Sequence, residues 1–282
     1  MAPSRITERL AASRPNGALL PYFTNGFPDV AATAEFIRRA DRLGVACVEV
    51  GIPYSDSIAD GPVIQSSFHA ALAGGHRLEH AFDMAAQLRP TVGCALIAML
   101  SYSMVHRYGL NRFMVAAAQA GFDGVILPDV PVEEAAPTSK AARDARLAYI
   151  GLVAPTTNAT RLHATVENSS GFVYQIATAG TTGERDSLAA TLEKETAALR
   201  KLTTLPVCAG FGVSTADHVR EVCRFADGAI VGSALVRRIQ EGIDSGLDSA
   251  ALADAVQHTL EELISGTGPT ATGANHVSSP EP

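Results

Sequence analysis

Two carboxylates flank one short loop in a largely apolar stretch of the chain. Glu49 stands between two valines in the apolar run ACVEVGI at residues 46–52, and Asp60 follows after a loop rich in glycine, proline and serine. Two carboxyl groups at one site could carry out acid–base chemistry. An ion pair between Glu49 and an arginine of a neighbouring strand would also explain a buried carboxylate. Glu49 alone leaves both interpretations open.

Three glycine-bearing segments indicate a site for a phosphate group. They are ATAGTTGER at 177–185, GFGVS at 210–214 and GSA at 232–234, and each follows an apolar run. Backbone N–H groups and the N-terminus of a helix bind a phosphate dianion without a lysine. One glycine pair would more often be a turn, whereas three such segments after three consecutive apolar runs favour a phosphorylated ligand.

Lysine and histidine chemistry is not supported by the positions of these residues. The lysines lie in predicted helices, so none is placed to form an imine with a carbonyl substrate: Lys140, Lys194 and Lys201. The histidines are scattered over predicted helices, loops and the tail without the pairing that a metal site needs. We therefore expect no metal site and no lysine aldolase. The chemistry that the sequence still supports is proton transfer by carboxylates on a phosphorylated substrate.

Several apolar and aromatic side chains are predicted at or just past the ends of the apolar runs. They are Tyr22, Leu100, Tyr102, Leu127, Tyr174 and Phe211. Individually, each would be a core residue. Together they could line a slot for a flat aromatic group beside the phosphate end.

The segments that must position these residues alternate between strands and helices. Eight apolar runs predict buried strands, at residues 19–24, 46–52, 94–100, 124–128, 147–153, 172–177, 206–210 and 228–232. Segments of helical period lie between and after them. One carries Ala32, Phe36, Ala40 and Leu43 on one face and ends at Gly44; the last carries Leu252, Val256, Leu260 and Leu263. A capping box at 214–217 is predicted to begin the helix after the seventh strand.

Eight strand–helix units predict an α/β fold, a (β/α)₈ TIM barrel, rather than a doubly wound sheet, since no G-x-G-x-x-G follows the first strand. Active sites of such barrels form at the C-terminal strand ends, where Glu49 and Asp60 are predicted to lie. We expect one barrel domain over residues 1–265 with an extra N-terminal helix. Residues 266–282 are small, polar and rich in Pro and Gly, which predicts a disordered tail.

The composition restricts the partners and the compartment. A formal net charge of −7 without a basic cluster predicts no nucleic-acid partner. No signal peptide and no apolar run of ~20 residues are found, so no membrane association is expected. Four cysteines without CxxC spacing are interpreted as reduced core residues, and the predicted localisation is cytoplasmic.

The sequence resembles the tryptophan synthase α subunit family in a series of blocks along residues 19–240. The blocks are PYFTNGFPD, VEVGIPYSDSIADGPVIQ, GFDGVILPDVPVEE, the loop at Thr182 and Gly183, PVCAGFGVST and GAIVGSALV. The second block is the most specific of them. The resemblance implies a barrel that cleaves indole-3-glycerol phosphate to indole and D-glyceraldehyde 3-phosphate, a retro-aldol reaction of a carbon–carbon lyase in tryptophan biosynthesis.

The resemblance also implies roles for individual residues. Glu49 is expected to move protons at C3 of the indole and at the glycerol hydroxyl, with a pKa raised by its apolar strand. Asp60 is expected to accept the indole N–H, and Tyr174 to lie beside this pair. The substrate-binding residues are then expected to be Tyr22, Leu100, Tyr102, Leu127, Thr182, Gly183, Gly210, Phe211, Gly212, Gly232 and Ser233, of which Gly183, Gly212 and Ser233 match the family's phosphate contacts.

Loops and partner follow from the same resemblance. Residues 53–62 and 177–187 resemble the family's mobile lids, with hinges at Gly180 and Gly183 and with Thr182 approaching Asp60 on closure. Asp56 and the PDVPVEE segment match loops that face a β subunit in an α₂β₂ complex. The chain itself is expected to need no cofactor, because pyridoxal phosphate belongs to that partner. Departures from the family pattern occur at Ser57, at Met104 and over residues 177–179.

Three other functions stay open at this point. The chain could be a stand-alone lyase that releases free indole, or a non-catalytic regulatory subunit that only activates its partner. A phosphosugar isomerase on the same barrel is the third, and it would turn over a substrate without indole. Retention of both Glu49 and Asp60 argues against the regulatory subunit.

Overall fold

The computed structural model of the protein describes residues 4–57, 60–176, 185–210 and 212–268, with the backbone alone over 185–191. All strand pairs are parallel. The strands are β1 (Ala18–Thr24), β2 (Cys47–Gly51), β3 (Ala95–Met99), β4 (Gly124–Ile126), β5 (Ala148–Tyr149), β6 (Gly151–Val153), β7 (Val173–Ile176), β8 (Val207–Gly210) and β9 (Gly228–Val231).

The helices of the described residues precede the first strand, lie between most of the strands and follow the last one. They are α1 (Arg5–Ala12), α2 (Val30–Arg42), α3 (Pro62–Ala73), α4 (Leu78–Leu88), α5 (Tyr102–Tyr108), α6 (Leu110–Ala120), α7 (Ala135–Asp144), α8 (Ala159–Asn168), α9 (Arg185–Leu199), α10 (Ala216–Cys223), α11 (Ser233–Asp244) and α12 (Ser249–Ile264), with a 3₁₀ turn at Val132–Glu134. None of the helices in these residues has the length and apolar content that crossing a bilayer requires.

The sheet closes on itself through the segment 148–153. The strand order runs β5-β4-β3-β2-β1-β9-β8-β7-β6, so β5 and β6 stand at opposite ends of it. Only Ile150 separates these two strands, and its N–H donates to the Val125 carbonyl at 3.0 Å. Because β5 pairs with β4 and β6 pairs with β7, the segment joins the two ends. The predicted eight-unit TIM barrel is confirmed, with 148–153 as the fifth unit's strand.

Alternation along the strands builds two apolar cores. Side chains such as Leu20, Cys47 and Ile97 fill the barrel interior, while Val48 and Val50 pack in the layer between barrel and helices. A strand side chain alternates between faces, so even a short strand contributes to both cores.

The N-terminal face of the barrel is held by helix α1 and by carboxylates. Ile6 and Leu10 of α1 are fully buried against the barrel interior, which confirms the extra N-terminal helix. Asp41 accepts the N–H of Cys94 at 2.7 Å, and Asp123 accepts the N–H of Leu96 at 2.9 Å. These carboxylates accept hydrogen bonds from backbone N–H groups where β3 begins, and they thereby contribute to the stability of this face.

Two helix predictions are confirmed and one is wrong by a residue. α2 ends as expected, with Gly44 at φ +84° just after it. The predicted apolar stripe of the last helix is buried in α12. The capping box at 214–217 does not form, because the cap of α10 is Thr215, whose hydroxyl accepts the His218 N–H at 3.2 Å.

Candidate active site

An open cavity of about 610 Å³ lies at the C-terminal ends of the strands. Eight of the residues predicted from the sequence line it: Tyr22, Glu49, Asp60, Tyr174, Gly210, Gly212, Gly232 and Ser233. They belong to five strands or to the loops that follow them. The two carboxylates and the glycines of the phosphate segments therefore meet at one site.

Glu49 is a buried carboxyl group whose Oε1 is left without a partner by the part of the chain that the structure describes. Its side chain follows the interior-facing parity of Cys47 on β2 and is 1% exposed. Its Oε1 has no hydrogen bond to any described residue, and no arginine of the described chain pairs with it. Burial raises the pKa of Glu49 to about 8, so the group holds its proton at neutral pH. The arginine ion pair considered above is not found in the described residues.

Asp60 is held at the cavity by the loop after β2. Tyr54 donates its hydroxyl to Asp60 Oδ2 at 3.1 Å, while Gln65 Nε2 donates to the Asp60 carbonyl at 2.7 Å and to the Ser57 carbonyl at 3.0 Å. Burial raises the pKa of Asp60, and the Tyr54 hydrogen bond acts in the opposite direction. The two carboxyl groups thus have different surroundings: Glu49 is buried with no partner for its Oε1 among the described residues, whereas Asp60 accepts a hydrogen bond from Tyr54.

Two tyrosines fill the interior side of the cavity. Burial raises the pKa of Tyr174 well above its usual value, and the nearby charge of Glu49 adds to this effect. Gly210 must lack a side chain, because a Cβ there would lie 2.9 Å from the Tyr174 hydroxyl. The phenol of Tyr22 similarly occupies the space that a Cβ at Gly51 would need. Both glycines therefore give room to an aromatic ring.

The opposite end of the cavity has the features of an anion site. Gly212 adopts φ +51°, a conformation that favours glycine. Ser233 begins α11 after Gly232, and none of the described side chains caps this helix N-terminus. Its first N–H groups and the positive end of its dipole are consequently available to a phosphate.

The apolar wall differs in part from the expected one. Tyr22 and Tyr174 line the cavity together with Ile64, Met99, Ile176 and Ile230. Leu100 is 1% exposed and lies behind the cavity, in a small cleft beside Tyr22 and Asp60.

Two further residues of the expected wall are not brought to the cavity. Leu127 lines a separate cavity of about 100 Å³ near Tyr149. Tyr102 begins α5, where its N–H donates to Asp129 Oδ1 at 2.7 Å and its ring lies 6.1 Å from that of His106.

Some predicted residues lie outside the described residues: Thr182, Gly183, Phe211, the hinge at Gly180 and the departures at 177–179. Of the other departures, Ser57 is buried and its carbonyl accepts the Asp60 N–H at 3.0 Å, while Met104 packs against the core from α5. Lys140 and Lys194 lie in α7 and α9, and Lys201 follows α9. Among the described residues, no group of three His, Cys, Asp or Glu could hold a metal.

Arg237 is a lining residue that sequence reasoning missed. It lies on α11, one turn after Ser233, and faces the same cavity. A single arginine inside a helical segment carries no motif, so only its spacing of four from Ser233 could have pointed to it.

Comparison with known proteins identifies relatives along nearly the whole chain. The family model described as tryptophan synthase alpha chain matches residues 9–265. The tryptophan synthase alpha chain of Rhodopirellula baltica is 41% identical over 248 residues, which cover 87% of this chain and 88% of the relative. That of Chloroflexus aggregans is 42% identical over 267 residues, or 94% of this chain and 98% of the relative.

Solved structures agree with the sequence relatives. The tryptophan synthase subunit alpha of Legionella pneumophila superposes with a TM-score of 0.83 at 31% identity, covering 93% of this chain and 99% of that one. A chain of the tryptophan synthase α₂β₂ complex from Pyrococcus furiosus superposes with a TM-score of 0.81 at 33% identity, covering 88% and 98%. The match of the family model over most of the chain and the identity to these relatives show that the chain belongs to the tryptophan synthase alpha chain family.

Proposed function

We infer that the chain is a carbon–carbon lyase that cleaves indole-3-glycerol phosphate to indole and D-glyceraldehyde 3-phosphate, as the alpha subunit of tryptophan synthase in L-tryptophan biosynthesis. One observation carries the chemistry: Glu49 is a buried, protonated carboxyl group whose Oε1 has no partner among the described residues. It shares a cavity with Asp60 and with the start of α11, which no described side chain caps. A proton donor, an acceptor and an anion site at one place are what this cleavage needs.

Glu49 is proposed to move both protons of the reaction. It first donates its proton to C3 of the indole, and the ring nitrogen gains positive charge. The carboxylate that results takes the proton of the hydroxyl on the carbon attached to C3, so that this carbon becomes the aldehyde. The electrons of the breaking C–C bond return to the ring and neutralise the nitrogen. Glu49 ends the cycle protonated, and a pKa near 8 suits a group that must both give and take a proton at neutral pH.

Asp60 is proposed to accept the indole N–H and to stabilise the positive charge that forms there. Its hydrogen bond from Tyr54 opposes the effect of burial on its pKa and so favours the charged form. Tyr174 is proposed to position the indole ring next to Glu49, since the buried Tyr174 side chain is close enough to Glu49 for a charge on that carboxylate to raise its pKa.

Substrate binding is proposed to divide between two ends of the cavity. Ile64, Met99 and Tyr22 offer apolar surface for the indole ring. Gly212, Gly232 and Ser233 offer backbone N–H groups for the phosphate. Gly183, Phe211 and Thr182 are proposed contacts from the loops after β7 and β8. Leu100, Tyr102 and Leu127 do not line the described cavity, and no contact with the ring is proposed for them.

A β subunit is the proposed partner, in an α₂β₂ complex like that named for the Pyrococcus furiosus relative. Pyridoxal phosphate is proposed to belong to this partner, and no cofactor is proposed for the alpha chain itself. We place the enzyme in the cytoplasm, which agrees with four free cysteines in the described chain.

One assay tests the proposed function. Indole release from indole-3-glycerol phosphate is measured for the wild type, for Glu49→Gln and for the surface control Glu241→Gln, each with and without a β subunit. We expect Glu49→Gln to lose roughly 10²–10⁴-fold in kcat, with the control unchanged and a large gain in rate from the partner. Equal rates with and without the partner would identify a stand-alone lyase. An unchanged rate in folded Glu49→Gln would refute the proposed chemistry.

A further inference from the structure

Arg237 lies at the phosphate end of the cavity. α11 begins at Ser233, and residues four apart on a helix lie on the same face, so Arg237 stands one turn behind the proposed phosphate contact. Ser233, Ala234 and Arg237 all line the cavity, and the Arg237 side chain is exposed there. In the described lining of the cavity, Arg237 is the only basic side chain.

The guanidinium of Arg237 is not neutralised by any described carboxylate. The neighbouring Arg238 pairs with Glu241 across 3.5 Å, one turn along the same helix. Arg237 forms no such pair with a residue that the structure describes. A long, flexible cation in this position retains its charge and its hydrogen-bond donors for a ligand.

The remaining charges make such a cation useful. The chain has a formal net charge of −7, and Asp60 adds a carboxylate inside the cavity itself. Both repel a phosphate dianion. The N–H groups at the start of α11 act over about one helical turn, because the field of a helix end falls off quickly. A full positive charge acts at longer range and offsets the repulsion while the ligand approaches.

We propose that Arg237 is a specificity-determining residue that attracts the phosphate dianion of the substrate and retains it against the start of α11. The inference rests on the proposed function and extends its phosphate subsite from backbone N–H groups to a side chain. In this proposal Arg237 holds the phosphate equally strongly in the bound substrate and in the transition state, so that its loss raises KM and leaves kcat unchanged.

Three variants separate this role from a structural one. Arg237→Gln removes the charge, Arg237→Lys keeps it, and Arg238→Gln removes the same charge one residue away, outside the lining of the cavity. In Arg237→Gln we expect KM for indole-3-glycerol phosphate to rise about 10-fold, with kcat within about twofold, as for loss of an exposed charge-assisted hydrogen bond. Arg237→Lys should retain most of the affinity, and Arg238→Gln should match the wild type.

Ionic strength and ligand charge provide the second measurement. The KM difference between wild type and Arg237→Gln should shrink as salt rises from about 0.03 M to about 0.5 M, because the screening length shortens. Product inhibition by indole, which carries no phosphate, should be the same in both proteins. A lowered kcat at unchanged KM, a difference that does not depend on salt, or an equal effect of Arg238→Gln would each overturn the proposal.

Direct binding keeps this test separate from that of the proposed function. Calorimetry with glycerol 3-phosphate as the probe measures the anion site without turnover. Weaker binding to Arg237→Gln than to Arg238→Gln supports the role of Arg237 even if no indole is released, in which case only the proposed reaction fails. Equal binding to the two variants rejects the role of Arg237 whatever the enzyme cleaves.

Discussion

The phenol of Tyr54 donates a hydrogen bond of 3.1 Å to Oδ2 of Asp60. Both residues belong to the loop between β2 and α3, and Tyr54 is fixed in turn by edge contact of its ring with Phe68 at 5.3 Å. Burial alone would push Asp60 towards its neutral form, which cannot stabilise positive charge on an indole nitrogen. Tyr54 thus connects the packing of α3 to the charge state of the site.

Substitution Tyr54→Phe should raise the pKa of Asp60 further, because it removes the group that lowers it and leaves burial unopposed. The acid limb of the kcat/KM profile should then move to higher pH, and the rate at neutral pH should fall about 10-fold for the lost charge-assisted hydrogen bond. Tyr108→Phe is the matched control, since Tyr108 packs against Phe82 and Phe113. An unshifted acid limb in Tyr54→Phe would contradict this role.

The alkaline limb of the wild-type profile should report Glu49. Its pKa of about 8 means that the free enzyme loses the reactive proton as the pH rises through that value. Since the first proposed step donates this proton to C3, kcat/KM should fall tenfold per pH unit well above pH 8. The measurement is kcat/KM for indole release between pH 6 and pH 10. A profile that stays flat to pH 10 would show that the ionisation of Glu49 does not control the reaction.

The same buried carboxyl group should make stability depend on pH. The folded pKa of about 8 lies above 4.5, the usual pKa of a glutamate and the one that applies in the unfolded chain. Between these two pH values the native state therefore holds the proton more tightly than the unfolded state does. Stability is therefore fully present below pH 4.5 and is lost as the pH rises through 8. At pH 9 Glu49→Gln should be more stable than the wild type by up to about 5 kcal/mol.

Urea unfolding of both proteins at pH 5, 7 and 9 measures this gain. The advantage of Glu49→Gln should widen with pH, while Glu241→Gln, at an exposed position on α11, should show no such trend. A constant difference across the three pH values would mean that Glu49 is not a strongly shifted group. Together with the loss of activity, a pH-dependent gain would identify a side chain kept for chemistry at a cost in stability.

Much of the barrel could be predicted from the sequence, because buried parallel strands are short apolar runs and the helices between them are periodic. The positions at the strand ends were harder to assign. Inward-facing residues keep one parity along each strand, so Met99 follows Ala95 and Ile97 into the interior, while Leu100 does not. Likewise Ile126 belongs to the interior and Leu127 to a separate cavity. The alternation of side chains along each strand predicts that Met99 and Ile126, and not Leu100 and Leu127, face the barrel interior.

Other features depend on contacts that no local pattern encodes. Glu49 Oε1 has no partner among the described residues, because the side chains that neighbouring strands direct into the interior include no arginine. Arg237 reaches the cavity only because α11 begins at Ser233. Thr215 caps α10 in place of Ser214, a difference of one residue that composition alone cannot resolve, since both side chains are good caps.

The N-terminal face of the barrel should carry stability without activity, and Asp227 tests this division. Its carboxylate is 6% exposed and contacts Arg14 at 2.7 Å and Arg200 at 3.2 Å. It also accepts the N–H of Val207 at 2.9 Å, where β8 begins.

The substitution Asp227→Asn replaces one acceptor oxygen by an NH₂ group, which would face the N–H donors of the arginines or of Val207. The loss should lower the free energy of unfolding by about 2–3 kcal/mol. Urea midpoints should fall accordingly, while kcat below the unfolding range should match the wild type, since Asp227 lies at the end of the strands opposite the cavity. Asp217→Asn is the control, because that carboxylate is 88% exposed and pairs with Arg220 on the surface, where the cost should stay below about 0.5 kcal/mol. A lowered kcat in Asp227→Asn, or a urea midpoint equal to that of Asp217→Asn, would show that stability and activity are not separated between the two faces of this barrel.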